Sequence, residues 1–433
     1  MRNNIVYSGA DELIYEIREI VEVANKIAKT GVPIIWENIG DPVAKGEKIP
    51  QWIKEIVSKE ALNDASYGYS PTKGLLATRE YIAHERNIEG GAQITLDDIL
   101  FFNGLGDAIS TIYSCLNENS RVIGPNPAYS THSSAEAAHA GAPHITYKLD
   151  PKNNWYPDLD DMRQKIKADK NIAGILIVNP DNPTGMVYSQ EMIRQVVAIA
   201  KEFDLFIISD EIYSNLFYGG AVHKKLASVI DGVPGIAMRG ISKEFPWPGG
   251  RCGWIEFYNR DKDAKFNRYA KTIVDAKMLE VCATTLPQKV LPTVMGDSRY
   301  YPYLDTRNAA YWQKSQIASE IFSKVKGVSV NKAYGAFYMT VVFDEVVLKV
   351  GQGLKPKNAA AGEIIKPLLK TDKLDKQFVY HLLASRGICI VPLSSGFNSD
   401  LFGFRVTLLE PDLEKFKKIM TDIAEAIDEY LNS

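Results

Sequence analysis

Residues 172–185, IAGILIVNPDNPTG, place seven uncharged residues directly ahead of a polar turn. A short apolar run bounded by turn residues is typical of a strand that is buried on both faces. Comparable runs are Ile99–Phe102, Arg121–Gly124, Leu205–Ile208, Ile236–Ile241 and Gly253–Phe257. Helical patterns, such as that of residues 193–200, separate them. This alternation predicts an α/β fold in which helices cover a mostly parallel sheet.

The residues that follow these runs carry amide, carboxylate, phenol, amine and guanidinium groups. They are Asn103-Gly104-Leu105-Gly106, Asn182, Asp210, Tyr213, Ser242, Lys243 and Arg251. Since ligands of open parallel sheets bind beyond the carboxyl ends of the strands, we expect these residues to surround one cavity. Pyridoxal phosphate needs an amine for its aldehyde, a carboxylate for its ring nitrogen, and amides plus a cation for its phosphate. The sequence therefore predicts a pyridoxal phosphate site.

The pattern changes after Tyr300, which suggests two domains. We predict a large domain over residues 50–300, and a smaller domain that combines residues 1–49 with residues 301–433. Within the second part, Lys349–Lys376 contains seven lysines. A charge run of this kind is typical of a solvated face, so we predict an exposed insertion at about residues 345–376.

The composition indicates which partners and which cellular location to expect. The 433 residues include 50 Lys and Arg against 53 Asp and Glu, a net charge of −3, which gives no reason to expect nucleic acid or an anionic membrane as partner. The four cysteines lie far apart, no histidine pair has ligand spacing, and residues 1–4 lack an apolar signal core. We therefore expect a cytoplasmic protein without a structural metal or a membrane span.

Four short strings together resemble a known family. Asn182-Pro183-Thr184-Gly185, Asp210-x-x-Tyr213, Ser242-Lys243 and Arg251-x-Gly253 look like the signature of class I/II aminotransferases of fold type I. The resemblance extends in order from Gly40-Asp41-Pro42 to Phe404-Arg405-Val406. It implies a large domain built on a mostly parallel seven-stranded sheet covered by helices, a smaller α+β domain, and a homodimer with composite active sites.

The resemblance also assigns roles to residues around the cofactor ring. Lys243 would bind the aldehyde covalently and then carry a proton between the substrate Cα and the cofactor. Asp210 would pair with the ring nitrogen, while Asn182 and Tyr213 would hydrogen-bond the ring oxygen. Tyr129 matches the aromatic residue that stacks on the ring.

Further roles concern the cofactor phosphate and the substrate. Arg251 would bind the phosphate together with the backbone amides of Leu105 and Gly106, and Tyr69 would reach the phosphate of the neighbouring subunit. Arg405 would bind the substrate α-carboxylate with both arms of its guanidinium group, close to the backbone of Gly40. Asn182 would contact the substrate as well as the ring oxygen.

One position departs from the family pattern. Gly240 stands where relatives often carry a hydroxyl residue that contacts the phosphate. We therefore expect Ser242 or Ser110 to contribute instead.

The leading interpretation is a ping-pong transaminase that moves an amino group between an L-amino acid and a 2-oxo acid such as 2-oxoglutarate or pyruvate. The alternative is a C–S β-lyase, decarboxylase or related lyase on the same fold, because fold alone does not separate these reactions. A dinucleotide-binding protein is disfavoured, since Ile109 stands where the third glycine after Gly104 and Gly106 is needed. The sequence leaves the preferred amino acid open.

Overall fold

The computed structural model describes residues 5–13 and 16–433, in which helices surround three β-sheets. The strands are β1 (Ile35–Trp36), β2 (Ile99–Phe102), β3 (Arg121–Asn126), β4 (Thr146–Asp150), β5 (Tyr156–Pro157), β6 (Ile172–Val178), β7 (Phe206–Asp210), β8 (Gly235–Gly240), β9 (Gly253–Tyr258), β10 (Val328–Val330), β11 (Tyr338–Phe343), β12 (Ile388–Cys389), β13 (Val391–Pro392) and β14 (Gly403–Thr407). The α-helices are α1 (Glu16–Ala28), α2 (Gln51–Ala61), α3 (Leu76–Ile88), α4 (Leu105–Ser114), α5 (Ser130–Ala140), α6 (Leu159–Ala168), α7 (Gln190–Phe203), α8 (Ile241–Glu244), α9 (Ala264–Glu280), α10 (Thr285–Met295), α11 (Tyr300–Phe322), α12 (Ala359–Ile365), α13 (Leu374–Arg386), α14 (Leu393–Gly396) and α15 (Leu413–Leu431).

The large sheet has eight strands in the order β2-β9-β8-β7-β6-β3-β4-β5. Neighbours from β8 to β4 are parallel, whereas β9 runs antiparallel to β8 and β2, and β5 antiparallel to β4. The predicted α/β fold with a mostly parallel sheet is confirmed, but the sheet has eight strands instead of seven. The eighth, β5, has only two residues and follows the left-handed residues Asn154 (φ 52°) and Trp155 (φ 57°). So short a strand leaves no periodic pattern in the sequence.

The unit formed by β6 and α7 illustrates how local sequence builds this sheet. Every β6 residue except Ala173 is buried, as expected for a central parallel strand. Helix α7 begins after Ser189, whose side chain accepts a hydrogen bond from the Met192 N–H at 3.1 Å, and ends at the left-handed Asp204 (φ 57°). The polar turn between the strand and the helix is thereby held at the edge of the sheet.

A second sheet, β10-β11-β14-β13, is antiparallel throughout. Its strand β14 carries Arg405, which lies in register with Thr340 of β11 and Val391 of β13. Strand β1 pairs in parallel with β12, so the chain segment before residue 40 is bonded to the C-terminal part. The division into domains at residues 50 and 300 stays a prediction.

The Lys-rich segment 345–376 includes α12 and the first turn of α13. Within it, Asn358 Nδ2 donates to the Thr30 carbonyl at 3.0 Å, and Gln352 Nε2 donates to the Leu431 carbonyl at 3.3 Å. Most of its lysines are exposed. The segment is therefore bonded to other parts of the chain, while most of its lysine side chains face solvent.

Hydrophobic residues fill both faces of the large sheet and continue into the second sheet. None of the helices within residues 5–13 and 16–433 combines the length and apolarity that crossing a bilayer requires. In the same part of the chain, no group of three or more His, Cys, Asp or Glu side chains is arranged to hold a metal ion. The N-terminal residues 1–4 lie outside the described residues.

Candidate active site

A cavity of about 780 Å³ opens at the carboxyl ends of β6, β7 and β8. Asn182, Tyr213 and Lys243 follow these three strands, and Asp210 is the last residue of β7. The predicted site residues that line the cavity are Gly40, Leu105, Gly106, Tyr129, Asn182, Asp210, Tyr213, Ser242, Lys243, Arg251 and Arg405. Tyr69 does not line it, and 87% of its surface is exposed. The structure thus brings most of the predicted site residues together, whereas Tyr69 does not line the cavity, and neither do Asn103 and Gly104, which were also expected around it.

Lys243 lies in α8, a single helical turn that directly follows β8. Its Nζ donates to the Gly40 carbonyl at 2.7 Å and lies 5.6 Å from the centre of the Phe337 ring. A Cβ atom on residue 40 would stand 1.9 Å from the Tyr338 hydroxyl, so only glycine fits there. The amine is therefore held at the cavity wall by a neutral acceptor.

Asp210 is 3% exposed and is held from behind by a buried histidine. Its Oδ2 lies 3.1 Å from His132 Nε2, and its Oδ1 accepts a hydrogen bond from the Ile212 N–H at 3.1 Å. His132 Nδ1 lies 3.3 Å from the Tyr113 hydroxyl. Sequence analysis missed His132 and Tyr113, because His132 lies 78 residues from Asp210 and no local pattern marks the pair. These contacts fix the orientation of the carboxylate.

Two phenols meet at the wall of the cavity. The Tyr213 hydroxyl donates to the Tyr338 hydroxyl at 3.3 Å, and both residues line the cavity. Burial, reinforced by Tyr338, raises the pKa of Tyr213 well above its ordinary value. The Tyr213 phenol therefore stays protonated near neutral pH and can donate a hydrogen bond. Tyr338 was missed because a tyrosine at the start of a strand has the appearance of a packing residue.

A helix start and a guanidinium group form one end of the cavity. Helix α4 begins at Leu105, and the N–H groups of its first turn have no acceptors within the helix. Gly104 has φ +85°, and a Cβ atom there would lie 2.5 Å from Arg251 Nη2. Arg251 Nη2 donates to the Asn103 carbonyl at 3.1 Å. Backbone amides and a cation in this arrangement suit a phosphate group.

The structure explains the glycine at position 240. A Cβ atom on Gly240 would lie 3.0 Å from the Cys252 carbonyl oxygen and 3.2 Å from Gly253 Cα, so a hydroxyl side chain would require β9 to move. Ser242 lines the cavity, whereas Ser110 is exposed and does not. Of the two serines expected near the phosphate, the structure places only Ser242 at the cavity.

Arg405 is 2% exposed, and its guanidinium group is held at several points. Nη1 donates to Asn182 Oδ1 at 3.0 Å, and Nη2 donates to the Asn38 carbonyl at 2.7 Å. The guanidinium carbon lies 4.2 Å from the centre of the Tyr338 ring and 5.0 Å from that of Phe397. Among the described residues, nothing hydrogen-bonds Arg405 Nε. A buried, fixed guanidinium at a cavity wall suits a carboxylate ligand.

Asp181 supports the turn that carries Asn182. Its Oδ2 accepts hydrogen bonds from the Thr184 N–H at 3.0 Å and from Thr184 Oγ1 at 2.5 Å. Burial raises the pKa of Asp181 to about 7. The sequence analysis did not assign Asp181 a role, because aspartate is common in any polar turn.

The groups at the cavity fit pyridoxal phosphate. The carboxylate of Asp210 suits the ring nitrogen, the amine of Lys243 suits the aldehyde, and the start of α4 with Arg251 suits the phosphate. The room for that phosphate depends on Gly104, since any side chain there would collide with Arg251. Asn38 also lines the cavity, and its buried Oδ1 lacks a hydrogen-bond partner within the described part of the chain.

Comparison with known proteins identifies a family. Residues 34–412 match the family model described as aminotransferase class I and II. The chain is 56% identical over its whole length to an uncharacterized aminotransferase of Methanocaldococcus jannaschii, whose length it also covers completely. It is 30% identical to the glutamate-pyruvate aminotransferase AlaA of Escherichia coli over 334 residues, which are 77% of this chain and 81% of that protein.

Solved structures of aminotransferases share the fold. A crystal structure of an aminotransferase from Escherichia coli has a TM-score of 0.85 at 26% identity. The alanine aminotransferase from Pyrococcus furiosus has a TM-score of 0.83, also at 26% identity. Each comparison covers 99% of both chains, so the likeness includes the cavity together with both larger sheets.

Proposed function

Since the chain belongs to the class I and II aminotransferases, we propose that it exchanges an amino group between an L-amino acid and a 2-oxo acid at the cavity lined by Lys243. The observation that carries this proposal is the convergence of an amine, a carboxylate and a guanidinium group, from Lys243, Asp210 and Arg405, on one cavity. Aminotransferase activity itself follows from the family.

The proposed cofactor is pyridoxal phosphate, which Lys243 would hold through the cofactor's aldehyde group. Bound there, it supplies an electron sink for the charge left on the substrate Cα. Asp210, held by His132, would pair with the ring nitrogen, and Asn182 and Tyr213 would donate hydrogen bonds to the ring oxygen. Once the substrate amine has released it from the cofactor, Lys243 would take a proton from the substrate Cα and pass it to the cofactor, and it would move a proton in the opposite direction when the 2-oxo acid receives the amino group.

The remaining predicted contacts complete the cofactor site. Leu105, Gly106, Ser242 and Arg251 would hold the phosphate, and Tyr129 would stack on the ring. All five residues line the same cavity, which supports this arrangement.

The proposed substrates are the pairs alanine with pyruvate and glutamate with 2-oxoglutarate. One support is the 30% identity to a protein named glutamate-pyruvate aminotransferase. The other is that the cavity is lined by the guanidinium group of Arg18 in addition to those of Arg405 and Arg251. Arg405 would bind the α-carboxylate that all four compounds share, with the Gly40 backbone nearby. Arg18 would attract the second carboxylate of glutamate and 2-oxoglutarate.

The protein is proposed to act as a homodimer in which Tyr69 reaches the phosphate of the partner's site. Tyr69 is 87% exposed, and Leu62 and Leu279 are 86% and 90% exposed. Thr285 Oγ1 donates to the Gly68 carbonyl at 2.7 Å, which places the Tyr69 segment against the start of α10. In the proposed dimer, these apolar side chains would be covered by the partner subunit. A cytoplasmic location is proposed as well, supported by four cysteines that are free.

A coupled assay tests the substrate proposal. Purified holoenzyme given alanine and 2-oxoglutarate should form pyruvate and glutamate in equal amounts, with parallel lines in double-reciprocal plots. Arg18→Gln should raise KM for glutamate and 2-oxoglutarate and leave KM for alanine within about twofold, because only the former carry a second carboxylate. Release of pyruvate with ammonia and no need for 2-oxoglutarate would contradict the proposal.

Subunit mixing tests the composite site. Tyr69→Ala and Lys243→Ala proteins are each expected to have little activity, while a refolded mixture should regain part of it, because one hybrid site has both residues. A mixture no more active than its components, or a monomer in light scattering, would count against the role of Tyr69.

A further inference from the structure

Residues 37–47, here called the strap, contact two cationic residues of the cavity, Arg405 and Lys243. The Asn38 carbonyl accepts a hydrogen bond from Arg405 Nη2 at 2.7 Å. The Gly40 carbonyl accepts one from Lys243 Nζ at 2.7 Å. The start of the strap therefore holds the side chain of Lys243 directly.

The end of the strap reaches the backbone of the same lysine through Arg307 of α11. Arg307 Nη1 donates to the carbonyls of Lys243 at 2.9 Å and Glu244 at 3.0 Å. Arg307 Nε lies 2.5 Å from Glu47 Oε1. The Tyr311 hydroxyl accepts from Arg307 Nη2 and donates to Glu47 Oε2, each at 3.0 Å.

Arg307 donates hydrogen bonds to carbonyls that the short helix α8 leaves without donors. Helix α8 has only four residues, so the carbonyls at its end accept no hydrogen bond from an N–H group within the helix. Arginine side chains can donate hydrogen bonds to such carbonyls. Arg307 is only 6% exposed, so the surrounding residues restrict the conformation of its side chain. Its planar fork serves two carbonyls and a carboxylate at once, which the compact ammonium of lysine cannot do.

We propose that Arg307 is a positioning residue for Lys243 and that its ion pair with Glu47 couples the lysine backbone to the strap. Both the amine and the carbonyl of Lys243 are then tied to one segment, through Gly40 at one end and Glu47 at the other. The inference rests on the proposed function, in which Lys243 holds the cofactor. Because a displacement of about 1 Å at a reacting group can cost roughly 100-fold in rate, loss of this link should slow the chemical step.

The test compares purified holoenzymes carrying Arg307→Lys and Glu47→Gln with the wild type. Visible circular dichroism reports how the bound cofactor is oriented, and it is measured at equal cofactor occupancy. We expect Arg307→Lys to halve this signal and to lower kcat at least tenfold, with KM for the amino acid within threefold. Glu47→Gln should shift both quantities in the same direction but less, since it keeps an acceptor for Arg307.

A matched control is Arg163→Lys, the same substitution in an exposed pair in which Arg163 Nε lies 3.1 Å from Glu202 Oε2. It should leave the dichroism and kcat unchanged. Full dichroism and kcat per bound cofactor in both Arg307→Lys and Glu47→Gln, with only a lower Tm, would overturn the inference. A wild type that shows no visible band with pyridoxal phosphate would instead refute the proposed function.

Discussion

Replacing Arg405 by lysine keeps one positive charge and removes the guanidinium fork. In the structure, Nη1 and Nη2 donate to Asn182 Oδ1 at 3.0 Å and to the Asn38 carbonyl at 2.7 Å. A single ammonium group cannot serve both acceptors and a substrate carboxylate in the same geometry. One buried acceptor is then left without its donor, at a cost of roughly 1–3 kcal/mol.

The substrate loses part of its anchor as well. Giving up one of two charge-assisted hydrogen bonds to the α-carboxylate costs roughly 1.5–3 kcal/mol. Since neighbouring contributions are not additive, we take a combined loss of about 3–4 kcal/mol, which corresponds to roughly 100- to 1,000-fold in kcat/KM. The loss should be similar for the amino acid and the 2-oxo acid, because both carry the α-carboxylate.

Single-turnover absorbance of each half-reaction measures this effect. The control is Arg386→Lys, which alters an exposed pair whose Arg386 Nη2 lies 2.6 Å from Glu429 Oε2 and should change neither rate. Arg405→Lys with kcat/KM within threefold of the wild type would refute the assigned role. A loss of kcat/KM in only one half-reaction would also refute it, because both substrates carry the α-carboxylate and both half-reactions should slow down.

Three further substitutions test other parts of the site. Gly104→Ala should raise the cofactor Kd at least tenfold in equilibrium dialysis, because its backbone conformation costs an alanine roughly 1–3 kcal/mol and the new Cβ displaces Arg251; an unchanged Kd would contradict this. His132→Leu should lower kcat roughly tenfold at constant KM by removing a hydrogen bond to Asp210; an unchanged kcat would exclude that role. Burial raises the pKa of Asp181 from 3.8 to about 7, so the folded protein retains a proton that the unfolded chain has released, and stability falls as pH rises from about 4 to about 7. Asp181→Asn should therefore raise the free energy of unfolding more at pH 8 than at pH 5, by on the order of 1–3 kcal/mol in urea titrations, and an equal effect at both pH values would show that Asp181 does not titrate in this range.

Much of the fold and cavity could be predicted because the informative residues are adjacent in sequence to the elements that position them. The run of residues 172–178 indicated a buried strand, and the polar residues after it indicated the edge of the sheet where Asn182 now lies. Asp210 and Lys243 also stand at the ends of apolar runs, which predicted that they lie at the same edge. Because the carboxyl ends of parallel strands lie at one edge of the sheet, residues that follow the predicted strands could be expected to lie close together.

The residues that were missed act through packing between distant segments. His132 contacts Asp210 across 78 positions, and Arg307 contacts the Lys243 carbonyl across 64. A buried histidine or arginine on a helix has no local pattern that separates it from an ordinary core or surface residue. Tyr338 likewise becomes informative only once its hydroxyl is seen beside Gly40.

The central claim is that Lys243 attaches the cofactor and moves the proton. Purified protein mixed with pyridoxal phosphate should show a visible absorbance band that alanine or glutamate bleaches and that pyruvate or 2-oxoglutarate restores. Lys243→Ala should lose this exchange and its turnover while it remains folded by circular dichroism. A Lys243→Ala protein that keeps the same band and the same turnover as the wild type would contradict the account.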